Sequence, residues 1–254
     1  GSANLVLTST NNGNCNQEKD SVLIVFTNSP VVNAGNNLIS CINNSSTLLS
    51  GIVSGPTNTG YWSGGLGTFN PDSSVLGAIY TPSASEIASG FVNLFLNSSN
   101  NGNCNQVRDT ILINFTNAPV ANAGLNLSVC KNNATISLSG IVTGPTTTGI
   151  WSGATGSFNP NNSVLSATYT PSNAELAAGV ANLILSSTNN GTCNQAVDTV
   201  VISFTGSPIV AIGPDISVCV NNATVAINGS VTIGATSGIW SGGLGTFNPG
   251  NAAL

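Results

Sequence analysis

The sequence predicts an all-β chain made of tandem antiparallel β-sandwich repeats of 89 residues. Three observations predict it. First, the only tryptophans, Trp62, Trp151 and Trp240, stand 89 apart, each inside the same twelve-residue string: GYWSGGLGTFNP, GIWSGATGSFNP and GIWSGGLGTFNP. Second, apolar and polar residues alternate in short runs separated by clusters of Gly, Asn, Pro, Ser and Thr, the pattern of half-buried strands and tight turns. Third, 41% of the residues are apolar while only three are basic and eight acidic. A core can therefore form, and the surface is hydrated by Asn, Ser, Thr and Gly rather than by ions.

The period holds without insertion or deletion. Cys15, Cys104 and Cys193 obey it, as do Cys41, Cys130 and Cys219, Asp20, Asp109 and Asp198, Tyr80 and Tyr169, and Glu86 and Glu175. The 254 residues make about 2.85 copies. GSANLVLTSTNNGNC at the start matches the strings ending at Cys104 and Cys193, so Gly1-Ser2 reads as native sequence and the chain as an excerpt of something longer. Proline-bearing steps, NSPVVNAG, NAPVANAG and GSPIVAIG, set the boundaries. The expected division is 1–29 (the end of a repeat), 30–118 and 119–207 (complete repeats) and 208–254 (the beginning of a repeat).

Within the second complete repeat the alternation marks strands at Leu125–Val129, Thr135–Val142, Gly149–Gly153, Val164–Thr170, Val180–Ser187 and Asp198–Phe204. One helical turn is expected at Ser172–Gly179, capped by Ser172 and ended by Gly179. About seven short strands with a turn every ten or so residues fit a β-sandwich.

A Trp in an early-middle strand, flanked by cysteines at −21 and +42, is similar to the core Trp of Ig-like domains. Trp62, Trp151 and Trp240 are therefore expected in the core, with the glycines of WSGGLG supplying tight turns and close packing under the indole. The functional alternative to core burial is an exposed Trp that stacks on sugars. The six cysteines, Cys15, Cys41, Cys104, Cys130, Cys193 and Cys219, read as disulfides, since no CxxC and no His exists for zinc, and this implies an oxidising, extracellular location. Three pairings are open. Cys41–Cys104 with Cys130–Cys193 resembles the intradomain Ig bridge and is preferred, although its two ends look a domain length apart. Cys15–Cys41, Cys104–Cys130 and Cys193–Cys219 close every pair within the chain. The third ties neighbouring repeats, as in Cys41–Cys193.

The composition removes several functions. A net charge of −5 with Lys19, Arg108 and Lys131 as the only cations gives little hold on phosphates, so neither nucleic acid nor an anionic membrane surface is expected as a partner. Without His there is no Ser/His/Asp triad, and no calcium loop or dinucleotide fingerprint is present. No enzyme activity, cofactor or metal is expected. No run of about 18 apolar residues exists for a membrane span. Asp-Ser/Thr-aliphatic recurs at Asp20-Ser21-Val22, Asp109-Thr110-Ile111 and Asp198-Thr199-Val200. This resembles the O-glycosylation signature of Bacteroidota, which marks Ser21, Thr110 and Thr199 as candidate glycan carriers. The plainer reading is an acid and a β-branched residue opening a strand.

The whole set, G-x-WSG, G-[TS]-FNP, YTPS, E, NL-x-L-x-S, NNG-x-C and D-[ST], resembles the repeats of giant Bacteroidota surface adhesins of the gliding-motility or grappling type, secreted by the type IX system. The resemblance runs the length of the chain. It implies Ig-like or PKD-like repeats in a stalk or filament used in attachment, gliding or cell–cell contact, with neighbouring repeats, and other copies in a multi-chain filament, as partners. The other function class in play is a repeated carbohydrate-binding module. Each repeat should be compact, with a radius of gyration of about 12 Å, and its stability local.

Overall fold

The computed structural model of the chain describes residues 1–252. Ala253 and Leu254, the end of the segment expected at 208–254, lie outside the described residues. Contacts divide the chain into two compact units: Gly1–Ala118 with Gly191–Asn194, and Pro119–Asn190 with the residues from Gln195 onward.

The first unit opens with a hairpin of β1 (Ser2–Thr8) and β2 (Lys19–Val25). There follow β3 (Val31–Asn33), β4 (Leu38–Cys41), β5 (Thr47–Leu48), β6 (Ile52–Ser54), β7 (Thr59–Ser63), β8 (Thr68–Asn70) and β9 (Ile79–Thr81). Helix α1 (Ala84–Ser89) leads into the long strands β10 (Phe91–Ser99) and β11 (Arg108–Thr116). One sheet has the order β4-β11-β10-β7; the opposing strands pair as β5-β9-β8 and β3-β6. β7, β10 and β11 take the C, F and G positions of an Ig-like sandwich, with β4 added beside β11, and the opposing strands are the ABED set. β4 runs parallel to β11, Leu38 beside Ile113 and Cys41 beside Thr116, so the first half of the repeat closes against its last strand.

Alternation explains the layers. On β10, Val92, Leu94 and Leu96 are buried while Phe91 and Asn93 face out. Leu94, Leu96, Ile111 and Ile113 join Leu49, Val53, Trp62 and Tyr80 in one core, each large apolar side chain contributing about 1.5–3 kcal/mol. The same sequence behaves otherwise in β1 and β2, which among the described residues pair only with each other. There Leu5 and Leu7, counterparts of Leu94 and Leu96, are exposed.

The second unit repeats the plan 89 residues on: β12 (Val120–Asn122), β13 (Leu127–Cys130), a 3-10 turn (Lys131–Asn133), β14 (Ile136–Ser137), β15 (Ile141–Thr143), β16 (Gly149–Ser152), β17 (Ser157–Asn159), β18 (Thr168–Thr170), α2 (Asn173–Ala178), β19 (Val180–Ser187) and β20 (Val197–Thr205). β21 (Ile209–Ile212) and β22 (Gly229–Thr232) start the next copy. The sheet order β13-β20-β19-β16 matches that of the first unit.

Three differences from the sequence reading have physical causes. The strand expected at Thr135–Val142 is two strands. β14 pairs with β18 and β15 with β12, and the break falls at Gly140, where a Cβ would lie 2.6 Å from the Trp151 ring and 2.9 Å from Leu185. The strand expected from Val164 starts only at Thr168, because Val164–Ala167 closes a turn through the bond from Ala167 N to Val164 O. β12 and β17 are three-residue strands that carry too few positions to show a period.

Candidate functional site

Trp62 sits on β7 opposite Leu96 of β10 and is 1% exposed. Its Nε1–H donates to Leu76 O at 3.0 Å, so the one polar atom of the ring is satisfied inside the core. Trp151 is 0% exposed and donates to Leu165 O at 3.2 Å. Trp240, expected in the core as well, is half-buried. Among the described residues a Cβ added at Gly229 of β22 would lie 2.8 Å from its ring, but no pair of long strands closes over it as over Trp62 and Trp151. Neither Trp62 nor Trp151 is the flat exposed platform a sugar would stack on. The Asn-Pro bond that ends each string is cis at Pro71, Pro160 and Pro249.

The recurring Tyr and Glu form one buried cluster. Tyr80 packs on Phe69 with ring centroids 4.9 Å apart. Its hydroxyl accepts from Gly67 N at 3.0 Å and donates to Glu86 Oε1 at 2.8 Å. Glu86 also accepts from Leu66 N and Ser83 N, both at 2.7 Å, and from Ser83 Oγ at 2.9 Å. Ser83 and Glu86 thereby complete a capping box on α1, which Gly90 ends in the left-handed region. The carboxylate thus locks the helix start and the turn after Trp62 to one phenol. Gly67 is required, since a Cβ there would meet the Tyr80 oxygen at 2.7 Å. Tyr169, Glu175, Ser172 and Gly156 repeat the cluster. The sequence reading found the cap but not that its Glu reaches the repeated Tyr.

Burial pushes the Glu86 and Glu175 carboxyls up, but the hydrogen bonds they accept outweigh it and hold both below the ordinary carboxylate range. Burial, and then the bond to Glu, pushes both tyrosines well above theirs. The folded state therefore holds the carboxylates ionised more strongly than the unfolded chain does. This contribution is full above the ordinary carboxylate pKa, about 4.3, and disappears as pH falls through the lowered folded values. The urea midpoint should be level from pH 6 to 8 and fall below about pH 4.5. E86Q with E175Q should lower the midpoint at pH 7 and flatten the acid limb; an unchanged limb would place the acid sensitivity elsewhere.

The Asp of the second and third Asp-Ser/Thr steps is also bonded into the fold, whereas Asp20, among the described residues, accepts only from the adjacent Ser21 N. Asp109 Oδ2 accepts from Ala34 N, and Asp198 Oδ2 from Ala123 N, both at 2.8 Å. These bonds tie β11 and β20 to the loops after β3 and β12, across 75 residues. Ser21, Thr110 and Thr199 are exposed.

The cysteines correct the preferred pairing. Cys41 is bonded to Cys193, with Cα atoms 4.9 Å apart, while Cys15, Cys104, Cys130 and Cys219 are free. Cys41 ends β4 beside Thr116, at the far end of β11, whereas Cys104 lies in the turn before β11 begins. The eight steps from Arg108 to Thr116 at about 3.3 Å each separate the two by roughly 26 Å or more, beyond the limit of about 7 Å for a bridge. The same geometry, one repeat on, parts Cys130 from Cys193. Around the observed bridge an amide cluster forms that the sequence reading missed. Asn194 N donates to Asn43 Oδ1 at 3.1 Å, Asn194 Nδ2 to Asn43 O at 2.6 Å, and Asn44 Nδ2 to Thr192 O at 2.9 Å. In a chain so rich in Asn nothing local singles these residues out.

No family model matches the chain, and no curated protein does. Solved structures resemble it in fold at very low identity. Extracellular domains 3–5 of Drosophila OTK are 8% identical over 74% of this chain and 68% of that one, with a TM-score of 0.40. A three-Ig segment of titin is 9% identical over 73% of this chain and 68% of that one, also at 0.40. The insect immune protein hemolin is 10% identical over 79% of this chain and 56% of that one, at 0.38. Likeness at this level says nothing about ligand or role. The all-β, Ig-like sandwich of each repeat follows from the strand order itself.

Proposed function

We propose that the chain belongs to the structural stalk or filament of a large secreted cell-surface adhesin, used in attachment, gliding or cell–cell contact and exported by the type IX route that the sequence resemblance implies. Its partners are neighbouring repeats and other copies of the chain in a filament, and it works as a scaffold, not a catalyst. The observation that carries the reading is where the recurring residues go. In the complete repeats the Trp, Tyr, Glu and Asp that return at each step are spent on core and on strand-to-loop ties. The bridge Cys41–Cys193 fits an oxidising, extracellular setting.

A carbohydrate-binding module would need aromatics that are both repeated and exposed. Exposed Tyr61 becomes Ile150 at the next step, and exposed Phe91 becomes Val180.

The test is cryo-electron microscopy of filaments sheared from cells that make the parent protein. Density with an 89-residue domain repeat is the expected result, and the number of strands separates a single-chain stalk from a multi-chain filament. Filaments that lack this repeat would overturn the reading. Intact mass of the same material decides whether Ser21, Thr110 and Thr199 carry glycans; a bare-peptide mass removes them.

A further inference from the structure

We infer that Cys104 and Cys130 are half-sites of the Cys41–Cys193 bridge, each built to take a cysteine thiol from a further copy of the repeat. The inference goes beyond the proposed role, because it follows from sulfur positions and holds whatever the repeats attach to.

The bridge is organised around one backbone carbonyl. Asn117 O lies 3.7 Å from Cys41 Sγ and 3.5 Å from Cys193 Sγ. One cysteine comes 76 residues before that carbonyl and the other 76 after it. The carbonyl recurs with the 89-residue step, as Asn28, Asn117 and Gly206. At Gly206 O the earlier cysteine is in place: Cys130 Sγ lies 3.6 Å away. At Asn28 O the later one is in place: Cys104 Sγ lies 3.4 Å away, with Thr27 Oγ1 also at 3.4 Å. Each free thiol thus occupies the position its bonded counterpart takes at Asn117. Each lacks only the thiol that belongs on the other side of its carbonyl.

The amide cluster is prepared in the same register. Asn43 and Asn44, which receive the incoming turn, recur as Asn132 and Asn133 beside Cys130. Asn194, which enters with Cys193, recurs as Asn105 beside Cys104. The backbone after Cys130 is a 3-10 turn, where the bonded copy closes a bridge from Cys41 to Asn44. Both thiols are half-buried, within reach of an oxidant. To form each bridge, the two thiols give up two protons and two electrons. The electrons pass to the disulfide of an oxidised dithiol oxidoreductase, which leaves as the dithiol. Successive repeats would then be linked by one covalent bond per carbonyl, at a sequence separation of 152 every time.

The test extends the 254-residue chain after Leu254 with a second copy of residues 166–207, which completes the third repeat and supplies a copy of Cys193. The extended chain is oxidised with glutathione disulfide and an oxidoreductase, its free thiols are alkylated, and it is cut with pepsin, because three basic residues leave trypsin few sites. The expected map contains Cys41–Cys193 and a second cross-link from Cys130 to the added cysteine. Alkylation of Cys130 should fall at least tenfold relative to the unextended chain. A map with Cys41–Cys193 present but Cys130 still alkylated overturns the inference. So does a link from the added cysteine to Cys219, the pairing within one repeat. Loss of Cys41–Cys193 itself overturns the geometry from which the half-sites are read.

Discussion

Replacing Trp151 with Ala is expected to lower the stability of the second complete repeat by about 3–5 kcal/mol, the cost of removing a buried Trp side chain from a core that relaxes only partly. A domain of this size is stable by only about 5–15 kcal/mol in all, so the variant should lose a large share of its stability. The reasons add up at one residue. The ring is fully buried in a cluster with Val142, Tyr169, Leu183 and Leu185. Its Nε1–H satisfies Leu165 O, and without it that carbonyl has lost a partner inside the protein. The backbone beneath, at Gly140, has no side chain with which to fill the hole, which is the condition under which truncation costs most. Gly140→Ala probes the same contact from the other side. Its methyl group would sit 2.6 Å from the ring, and overpacking of this kind costs about 1–3 kcal/mol. Urea titration checks both, read by tryptophan fluorescence in Gly140→Ala and by far-UV circular dichroism in Trp151→Ala. A shift below about 0.5 kcal/mol, the size of an ordinary surface substitution, would mean that the repeated Trp is kept for something other than the core.

The contrast between Trp and Cys explains what the sequence could and could not reveal. The Trp strand, the long strands β19 and β20 and the helix α2 are specified by neighbours two to four residues away, through alternation and a capping box. They are legible because their causes are local. The break between β14 and β15 has its cause in a ring eleven residues further on, and the alternation gave no sign of it. The Asp109 tie reaches back 75 residues and the bridge spans 152. Across such distances the period says that two cysteines are equivalent to two others, but not which sulfur meets which. The preference for Cys41–Cys104 came from the spacing of cysteines about a Trp in Ig-like domains, where the bridge joins the two sheets through the core. Here the core cluster is built of Leu49, Leu94, Leu96 and their neighbours, without a cysteine. Cys41 closes a sheet strand at its end and Cys193 lies in a turn, and they make a bond outside the cluster of core side chains.

Removal of that bond is expected to cost about 2–4 kcal/mol, the usual worth of a disulfide. Chain-entropy reasoning over a loop this long would put it above that range, at about 5 kcal/mol, and the amide cluster pulls the other way. Asn43, Asn44, Thr192 and Asn194 are joined by hydrogen bonds that do not pass through sulfur, so part of the ordering of the turn should survive in the reduced state. Cys193→Ser should therefore lower the urea midpoint and speed hydrogen exchange at Gly191–Asn194, while β10 and β11, whose core does not include the bridge, keep their protection. Asn194→Ala in the oxidised chain should do little, because the covalent bond already holds the turn. The two changes together should cost more than their sum. Equal midpoints with and without reductant would assign the hold on this turn to the amides. With three basic residues in 254, the chain has almost no ion pairs with which to tie one segment to another. Carboxylates that accept from backbone N–H groups do part of that work, and at this turn neutral amides and sulfur do it.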